Sequence, residues 1–241
     1  MRLLDFSFKS PAENLALDEV LLDMGESGGG EEILRFWESP VVFVVLGVSQ
    51  PFQEALYEEA CQQEGVPVLR RCTAGGCVLQ GPGCLNYSLV LKYEGHPETR
   101  LIRESNQYIL GRITSALGRL GIKTQFEPPC DLSFNGRKVS GNAQKRRKNA
   151  LLHHGTLLCG FDVSLMPKYL REPTKRPPYR GQRIHGNFVG SLGLDPLALR
   201  GAIAETFGAS NPPEQPQPAE LEATHRLATQ KYLDPTWIRR C

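Results

Sequence analysis

The stretch Arg70-Arg71-Cys72-Thr73-Ala74-Gly75-Gly76-Cys77-Val78-Leu79-Gln80-Gly81-Pro82-Gly83 stands between two short apolar segments, residues 66–69 and 84–91. Both segments have the composition of β-strands. Glycine lets the backbone approach a ligand closely and turn its N–H groups toward an anion. Adjacent arginines supply planar, permanently charged groups that match phosphate or carboxylate. The stretch therefore predicts either an anion-binding loop or an ordinary hairpin with a glycine-rich turn.

A second informative stretch spans residues 130–158. It contains Cys130-Asp131-Leu132-Ser133-Phe134-Asn135-Gly136-Arg137-Lys138-Val139-Ser140-Gly141-Asn142-Ala143-Gln144. Asn-Gly is a strong signal for a tight hairpin turn, and it places Lys138 just past that turn on a strand. A lysine held there can contact a developing negative charge. The alternative is a solvated lysine on a hairpin.

Together the two stretches resemble the lipoate-protein ligase and octanoyltransferase family, which has the biotin ligases as distant relatives. The resemblance covers roughly residues 1–195. The motifs that carry it keep the family's order and rough spacing. They are Asn14-Leu15-Ala16-Leu17-Asp18-Glu19, Trp37 with Leu46-Gly47, Arg70-Arg71 with Gly75-Gly76, Leu85-Asn86-Tyr87-Ser88, Gly136-Arg137-Lys138-Val139-Ser140-Gly141-Asn142-Ala143, and His153-His154-Gly155-Thr156-Leu157-Leu158.

This resemblance implies an α/β (α+β) catalytic domain of the biotin/lipoate ligase class, with a mixed, mainly antiparallel sheet flanked by helices. We expect that domain to span residues 1–210. Residues 211–241 begin with four prolines in 211–218 and predict a linker and a short tail, not a full accessory domain. The implied function is attachment of a lipoyl or octanoyl group to a lysine of a lipoyl domain. The implied partners are the lipoyl domains of 2-oxoacid dehydrogenase complexes or the glycine cleavage H protein.

The resemblance also implies roles for particular residues. Lys138 would polarise the acyl carbonyl. Cys130 stands where one class of octanoyltransferases places its acyl-accepting cysteine, and its basic neighbours are expected to favour the thiolate. A packed, unreactive Cys130 is the alternative. The residues expected to bind substrate or nucleotide are Arg71, Gly75, Gly76, Cys77, Val78, Leu79, Gln80, Asn86, Ser140, Gly141 and His154.

Three mechanisms remain open, and the matched motifs favour the first. An ATP-dependent lipoate-protein ligase would use ATP, Mg²⁺ and lipoate and form an acyl-AMP. An octanoyltransferase would take octanoyl from its carrier protein as a Cys130 thioester. Ala74 in place of a third glycine, and Gln80-Gly81-Pro82-Gly83 in place of the ligases' His-Asp, depart from the ligase pattern. The short C-terminal part also fits a non-catalytic or split-ligase subunit that needs a separate accessory subunit.

Composition narrows the class of protein. The chain has 241 residues, with 28 Lys and Arg against 26 Asp and Glu, so no global charge favours nucleic acid. The basic run at residues 137–148 predicts a solvated face or a docking patch for an acidic partner. The seven cysteines have no metal-binding spacing, and no metal site is expected. We see no signal peptide and no membrane-length apolar run, so we expect a cytoplasmic protein with free thiols.

Hydrophobic periodicity predicts the remaining elements. Acidic residues Asp18, Glu19 and Asp23 are expected on the polar face of the first helix. Residues 173–185 are loop-like and basic. Helices are predicted at 14–24, 51–64, 99–120, 197–207 and 221–232, and further strands at 32–37, 41–46, 124–126 and 151–161.

Overall fold

The computed structural model of the protein describes residues 1–28, 30–209 and 211–241. The strands in this part of the chain are β1 (Arg2–Asp5), β2 (Ile33–Trp37), β3 (Phe43–Leu46), β4 (Val68–Arg70), β5 (Val78–Gln80), β6 (Cys84–Lys92), β7 (Gln125–Glu127), β8 (Asp131–Phe134), β9 (Arg137–Arg146) and β10 (Ala150–Leu158). The α-helices are α1 (Pro11–Glu26), α2 (Phe52–Ala55), α3 (Glu58–Gln63), α4 (Ile102–Arg119), α5 (Met166–Tyr169), α6 (His185–Phe188), α7 (Pro196–Thr206), α8 (Pro218–Leu227) and α9 (Pro235–Ile238).

The strands form two sheets. The larger has seven strands in the order β1-β2-β6-β10-β9-β8-β7, and the smaller has three in the order β4-β3-β5. Only β1 and β2 run parallel in the large sheet, and β3 and β4 run parallel in the small one. This architecture confirms the predicted fold class.

The two faces of the large sheet carry different helices. Leu151 packs with α4 and α7 in one apolar cluster, whereas the next residue, Leu152, packs with α1 on the other side. This alternation is the expected consequence of successive side chains pointing to opposite faces of a strand. The sheet is therefore a middle layer between helices, with its core on both faces.

The hairpin between β8 and β9 forms at the predicted turn. Asn135 and Gly136 have φ angles of 51° and 72°, the conformation of the tight hairpin turn that Asn-Gly favours. The turn pairs Phe134 with Arg137 and Ser133 with Lys138, and a register shift follows between Leu132 and Ser133. The position of Lys138 is therefore set by a local sequence signal.

Two predictions about helices are wrong. Asp18 and Glu19 are not on a solvated face of α1: they are 1% and 3% exposed, because basic side chains from β2 and β9 reach them. The predicted helix at 51–64 is two short helices, α2 and α3. Leu56 leaves the helical path between them and pairs with Leu170 in an isolated bridge. The other predicted helices and strands form near their expected positions. Gly29, in the glycine run after α1, lies outside the described residues.

The basic run at 137–148 is a solvated face only in part, because Arg137, Arg147 and Lys148 are exposed whereas the other basic residues are half-buried. Lys145 pairs with Glu19, and Arg147 pairs with Asp23 at 2.7 Å. Arg146 donates hydrogen bonds to backbone carbonyls at residues 99 and 100. Most of these basic side chains therefore have partners within the same chain.

The C-terminal segment packs on the rest of the chain. The amide of Glu214 donates to the carbonyl of Leu3 at 2.8 Å, and α8 with the π-helical turn that follows it lies against α1. Within the described ranges, no helix combines the length and apolar character needed to cross a bilayer.

Candidate active site

Two adjoining cavities lie between the glycine loop and β9, and residues 166–189 line only the larger of them. One has a volume of about 700 Å³ and the other about 210 Å³. Each predicted site residue lines at least one of them: Arg71, Gly75, Gly76, Cys77, Val78, Leu79, Gln80, Asn86, Cys130, Lys138, Ser140, Gly141 and His154. The fold thus brings together residues that lie far apart in the sequence, while their individual roles stay predictions.

The first arginine of the Arg-Arg pair is structural. Arg70 is fully buried and donates to the carbonyls of Gly47 and Gln50 at 2.7 and 2.8 Å. Its Nε donates to the carbonyl of Ile238 at 2.8 Å, and the indole of Trp237 donates to the carbonyl of Arg70 at 2.9 Å. These contacts tie the C-terminal segment to the strand that leads into the glycine loop.

The second arginine shapes the loop itself. Arg71 Nε donates to Thr73 Oγ1 at 2.9 Å and Nη2 donates to the carbonyl of Ala74 at 2.7 Å. Gly75 has a φ of +105°, which disfavours other residues, and a Cβ there would lie 2.7 Å from Arg71 Nη2. A Cβ at Gly47 would lie only 1.9 Å from the carbonyl oxygen of Gly75. The loop therefore follows a tightly packed path that requires both glycines.

A buried polar chain connects the loop to α1. His154 approaches Thr73 Oγ1 at 2.8 Å through Nε2 and Asp18 Oδ2 at 3.3 Å through Nδ1. Ser88 donates to the same carboxylate oxygen at 2.7 Å, and Arg35 donates to Oδ1 at 2.6 Å. Burial by itself would raise the pKa of Asp18, but Arg35, His154 and Ser88 together hold this pKa below its ordinary value.

A second polar chain crosses the floor of the cavities. Gln80 Nε2 donates to Thr156 Oγ1 at 2.6 Å, and Thr156 donates to Asn86 Oδ1 at 2.7 Å. Gln80 Oε1 is buried and has no hydrogen-bond donor among the described residues. An unpaired acceptor of this kind is costly in a closed core, so it marks a place where a ligand group or water can donate.

Lys138 is held by a carboxylate. Its Nζ lies 2.8 Å from Asp131 Oδ1, and the Tyr179 hydroxyl donates to Asp131 Oδ2 at 2.8 Å. Gly141 stands opposite Asp131 in the strand ladder, and a Cβ there would lie 3.0 Å from Lys138 Nζ. The missing side chain at Gly141 gives the lysine room to extend into the cavity.

Cys130 is held by Asn142. Its Sγ donates to the backbone carbonyl of Asn142 at 3.0 Å, and Asn142 Nδ2 donates to the carbonyl of Cys130 at 2.7 Å. Tyr87, fully buried, donates to Asn142 Oδ1 at 2.6 Å. A Cβ at Gly155 would collide with that oxygen at 1.7 Å, so the carboxamide fits only beside a glycine.

The expectation that basic neighbours favour the Cys130 thiolate is wrong for this conformation. Burial raises the pKa of Cys130, and Asp131 raises it further, whereas Lys138 and Arg71 lower it less. The main physical cause is burial, and Lys138, which would favour the thiolate, is already paired with Asp131. Burial and Asp131 therefore disfavour the Cys130 thiolate.

The sequence did not single out several residues of the site. Asp131 and Asn142 lie inside the quoted motifs, and only Asp131 had a local signal, because it directly follows Cys130. Tyr179 comes from the loop-like segment and had no local signal at all. Within the described residues there is no group of three or more acidic, histidine or cysteine side chains arranged to hold a metal ion.

Comparisons with known proteins identify the family to which the chain is similar. The family model described as "Lipoyl protein ligase A/B catalytic domain" matches residues 10–193. An octanoyltransferase LipM of Carboxydothermus hydrogenoformans is 34% identical over 271 aligned positions, covering 99% of this chain and 98% of the relative. A putative lipoate-protein ligase A of Aeropyrum pernix is 36% identical over 188 positions, covering 73% and 69%.

Solved structures agree in fold. A bi-partite lipoate protein ligase from Thermoplasma acidophilum superposes with a TM-score of 0.86 at 22% identity, covering 100% of this chain and 96% of that one. A lipoate-protein ligase A bound with ATP also gives 0.86, at 21% identity, covering 99% and 98%. With the family match over residues 10–193, these findings confirm the expected family: the chain is an enzyme of the lipoyl protein ligase A/B catalytic domain family.

Proposed function

We propose that this protein transfers an octanoyl or lipoyl group to a lysine of a lipoyl domain, and that it does so through a thioester on Cys130. The observation that carries the proposal is that Cys130 and Lys138 line the same cavity, beside the glycine loop. The relative named octanoyltransferase LipM, which aligns over nearly the whole chain, supports transfer of an octanoyl group. This choice reverses the narrow preference for a ligase that the motifs alone gave.

The smaller cavity suits an acyl chain. Its wall includes the apolar side chains of Leu15, Trp37, Val45 and Val78, while Cys130 and Lys138 stand on another part of the same wall. An apolar lining with a few placed polar groups is the usual composition of a pocket for a small, mainly apolar ligand. The acyl chain would lie among the apolar residues with its carbonyl near Cys130.

The chemistry follows from these positions. Cys130 loses its proton and its sulfur attacks the thioester carbonyl carbon, forming a new C–S bond. The ammonium of Lys138 stabilises the oxyanion. The donor's C–S bond breaks, and the departing thiol takes up the proton that Cys130 lost. The acceptor lysine amine then attacks the enzyme thioester, an amide forms, and the Cys130 sulfur leaves and recovers a proton.

An ATP-dependent ligase is the second candidate, and the larger cavity favours it. Its volume of about 700 Å³ exceeds what an acyl chain needs, and Gly75, Gly76, Lys138 and Lys175 line it. Backbone N–H groups and lysines of this kind would contact the phosphates of ATP. Mg²⁺ would come with those phosphates, since it is commonly bound through substrate phosphates and only one or two carboxylates. The two lysines and the glycine loop therefore fit the ATP–lipoate requirement as well.

Intact-protein mass spectrometry with an acceptor lipoyl domain separates the two routes. One reaction contains octanoyl carrier protein without ATP, and the other contains free lipoate with ATP and Mg²⁺. We expect an octanoyl adduct on the enzyme and acceptor modification in the first reaction, both lost in Cys130→Ser. Cys241→Ser is the matched control, because Cys241 lines neither cavity.

Acceptor modification only with ATP and lipoate, and no enzyme adduct, would replace the thioester proposal with the ligase. Turnover by this chain alone would also argue against the split-ligase reading. Binding of a lipoylated domain with no turnover under either donor would support a non-catalytic subunit.

A further inference from the structure

The carboxylate of Asp131 is shared between two groups. One oxygen pairs with Lys138 Nζ at 2.8 Å and the other accepts from the Tyr179 hydroxyl at 2.8 Å. Lys138 is 27% exposed and Asp131 12% exposed, so the pair lies at the cavity wall, where substrate can compete for the lysine. Asp131 therefore decides where the charge of Lys138 lies.

Tyr179 is held relative to that pair by the chain segment around it, residues 173–190. Arg183 in the same segment donates to the carbonyl of Gly136 in the hairpin turn at 2.6 Å. The amide of Gly190 donates to the carbonyl of Lys138 itself at 2.9 Å. The Tyr179 ring packs against Phe188 at a centroid distance of 5.1 Å. The segment therefore contacts the backbone of Lys138 directly. Through Tyr179 it also contacts Asp131, the partner of the Lys138 side chain.

The same segment forms one wall of the larger cavity. Lys175, Pro177, Arg180 and Phe188 all line it. A donor bound in that cavity therefore touches the segment that holds Tyr179 on Asp131. Tyr179 itself lines neither cavity, so it reaches Lys138 only through Asp131.

We propose that Asp131 and Tyr179 are positioning residues that control how strongly Lys138 acts on Cys130. Asp131 holds the lysine amine, and the Tyr179 hydroxyl takes up part of the carboxylate's charge and so weakens that hold. Neither residue bonds to the thiol. The inference rests on the proposed thioester route, because it assigns Lys138 and Cys130 to one reaction.

The two residues are expected to act on the thiol with opposite signs. The charged groups that act on Cys130 are Asp131, which raises its pKa, and Lys138 and Arg71, which lower it. Tyr87 is the other ionisable group that faces it, and burial keeps that phenol neutral by raising its pKa. Removing the charge of Asp131 frees Lys138 and promotes the thiolate. Removing the Tyr179 hydroxyl leaves Asp131 with its full charge and opposes the thiolate.

The test is the rate of Cys130 alkylation by iodoacetamide, measured on its peptide by mass spectrometry across a pH series. We expect Asp131→Asn to speed alkylation at neutral pH about tenfold and to move the pH profile to lower pH. We expect Tyr179→Phe to slow it about threefold and to move the profile to higher pH. A loosened structure would instead speed both variants.

Tyr169→Phe is the matched control. Tyr169 also donates to a carboxylate at 2.8 Å, that of Glu64, and it lines neither cavity. Its alkylation profile should equal that of the wild type. Shifts of the same sign in Asp131→Asn and Tyr179→Phe, or no shift in either, would overturn the inference.

The alkylation readout needs no donor or acceptor. An enzyme that never forms an octanoyl adduct would refute the proposed thioester route while the opposite shifts still stood. Conversely, an octanoyl adduct with no opposite shifts would keep the route and remove these two roles.

Discussion

Two carboxylate–cation pairs in this molecule have the same chemistry and different surroundings. Asp18 and Arg35 meet at 2.6 Å beneath α1, with side chains 2% and 0% exposed. Asp131 and Lys138 meet at 2.8 Å on the cavity wall, with side chains 12% and 27% exposed. Arg35 also donates to Asn14 and to the carbonyl of Phe6, so the buried guanidinium has several fixed partners.

The difference in exposure explains why the two pairs have different roles. A buried pair cannot separate without leaving a charge in a medium that solvates it poorly, so it holds the fold together. A pair at a cavity wall loses less when it separates, because water or substrate replaces the partner. We therefore expect the first pair to affect stability and the second to affect turnover.

The largest expected effect is on stability at the buried pair. Arg35→Met leaves Asp18 charged, buried and without its cation, which should cost about 3–5 kcal/mol of unfolding free energy. Urea denaturation measures this loss. Arg119→Met, at a pair whose side chains are 54% and 66% exposed, is the control and should cost less than about 1 kcal/mol. Equal losses in the two variants would break the comparison.

The next effect is on turnover at the cavity pair. Lys138→Ala should lower the transfer rate about 10²–10³-fold, since it removes the group that stabilises the oxyanion. Its unfolding free energy should change by less than about 1 kcal/mol. Lys168→Ala removes a more exposed lysine–carboxylate pair, with Glu64, and should keep the wild-type rate. Full activity of Lys138→Ala would contradict the assignment of this lysine.

A smaller effect comes from His153, a buried ionisable group with no charge partner. Burial, with the neighbouring His154, lowers the pKa of His153 to about 3. The unfolded chain takes up this proton below about pH 6.5 and the folded chain does not, so stability should fall by about 2 kcal/mol between pH 6.5 and about pH 5. Denaturation of His153→Phe across this range should lack that loss.

The exposed His225 supplies the control for this pH series. His225→Phe should retain the wild-type decrease in stability on acidification. If His153→Phe keeps the decrease as well, another group causes the loss of stability, and the role assigned to the buried His153 is wrong.

The features predicted correctly are those that residues close together in the sequence determine. Asn135-Gly136 fixed the hairpin turn, and the turn fixed Lys138. The β-rich segments at residues 84–91 and 151–161 predicted the central strands β6 and β10. These inferences succeed because turn geometry and strand period depend on residues close in sequence.

The parts that failed depend on partners far along the chain. Helical periodicity placed Asp18 and Glu19 toward solvent, since nothing near them shows that Arg35 and Lys145 come from separate strands. Counting basic residues near Cys130 could not reveal that Asp131 already holds Lys138. Tyr179 reaches Asp131 across 48 positions, so only the folded chain shows the contact.

The bare Cα of Gly155 has a consequence for how this sequence can change over generations. Any side chain at position 155 meets the Asn142 carboxamide, with Tyr87 Cε1 next at 2.8 Å. Alanine at 155 is thus tolerated only after position 142 has become smaller and the Tyr87 ring has shifted. The order of the two substitutions matters, and a lineage that makes the change at 155 first passes through a poorly folded intermediate. Positions 142 and 155 should therefore evolve as a coupled pair.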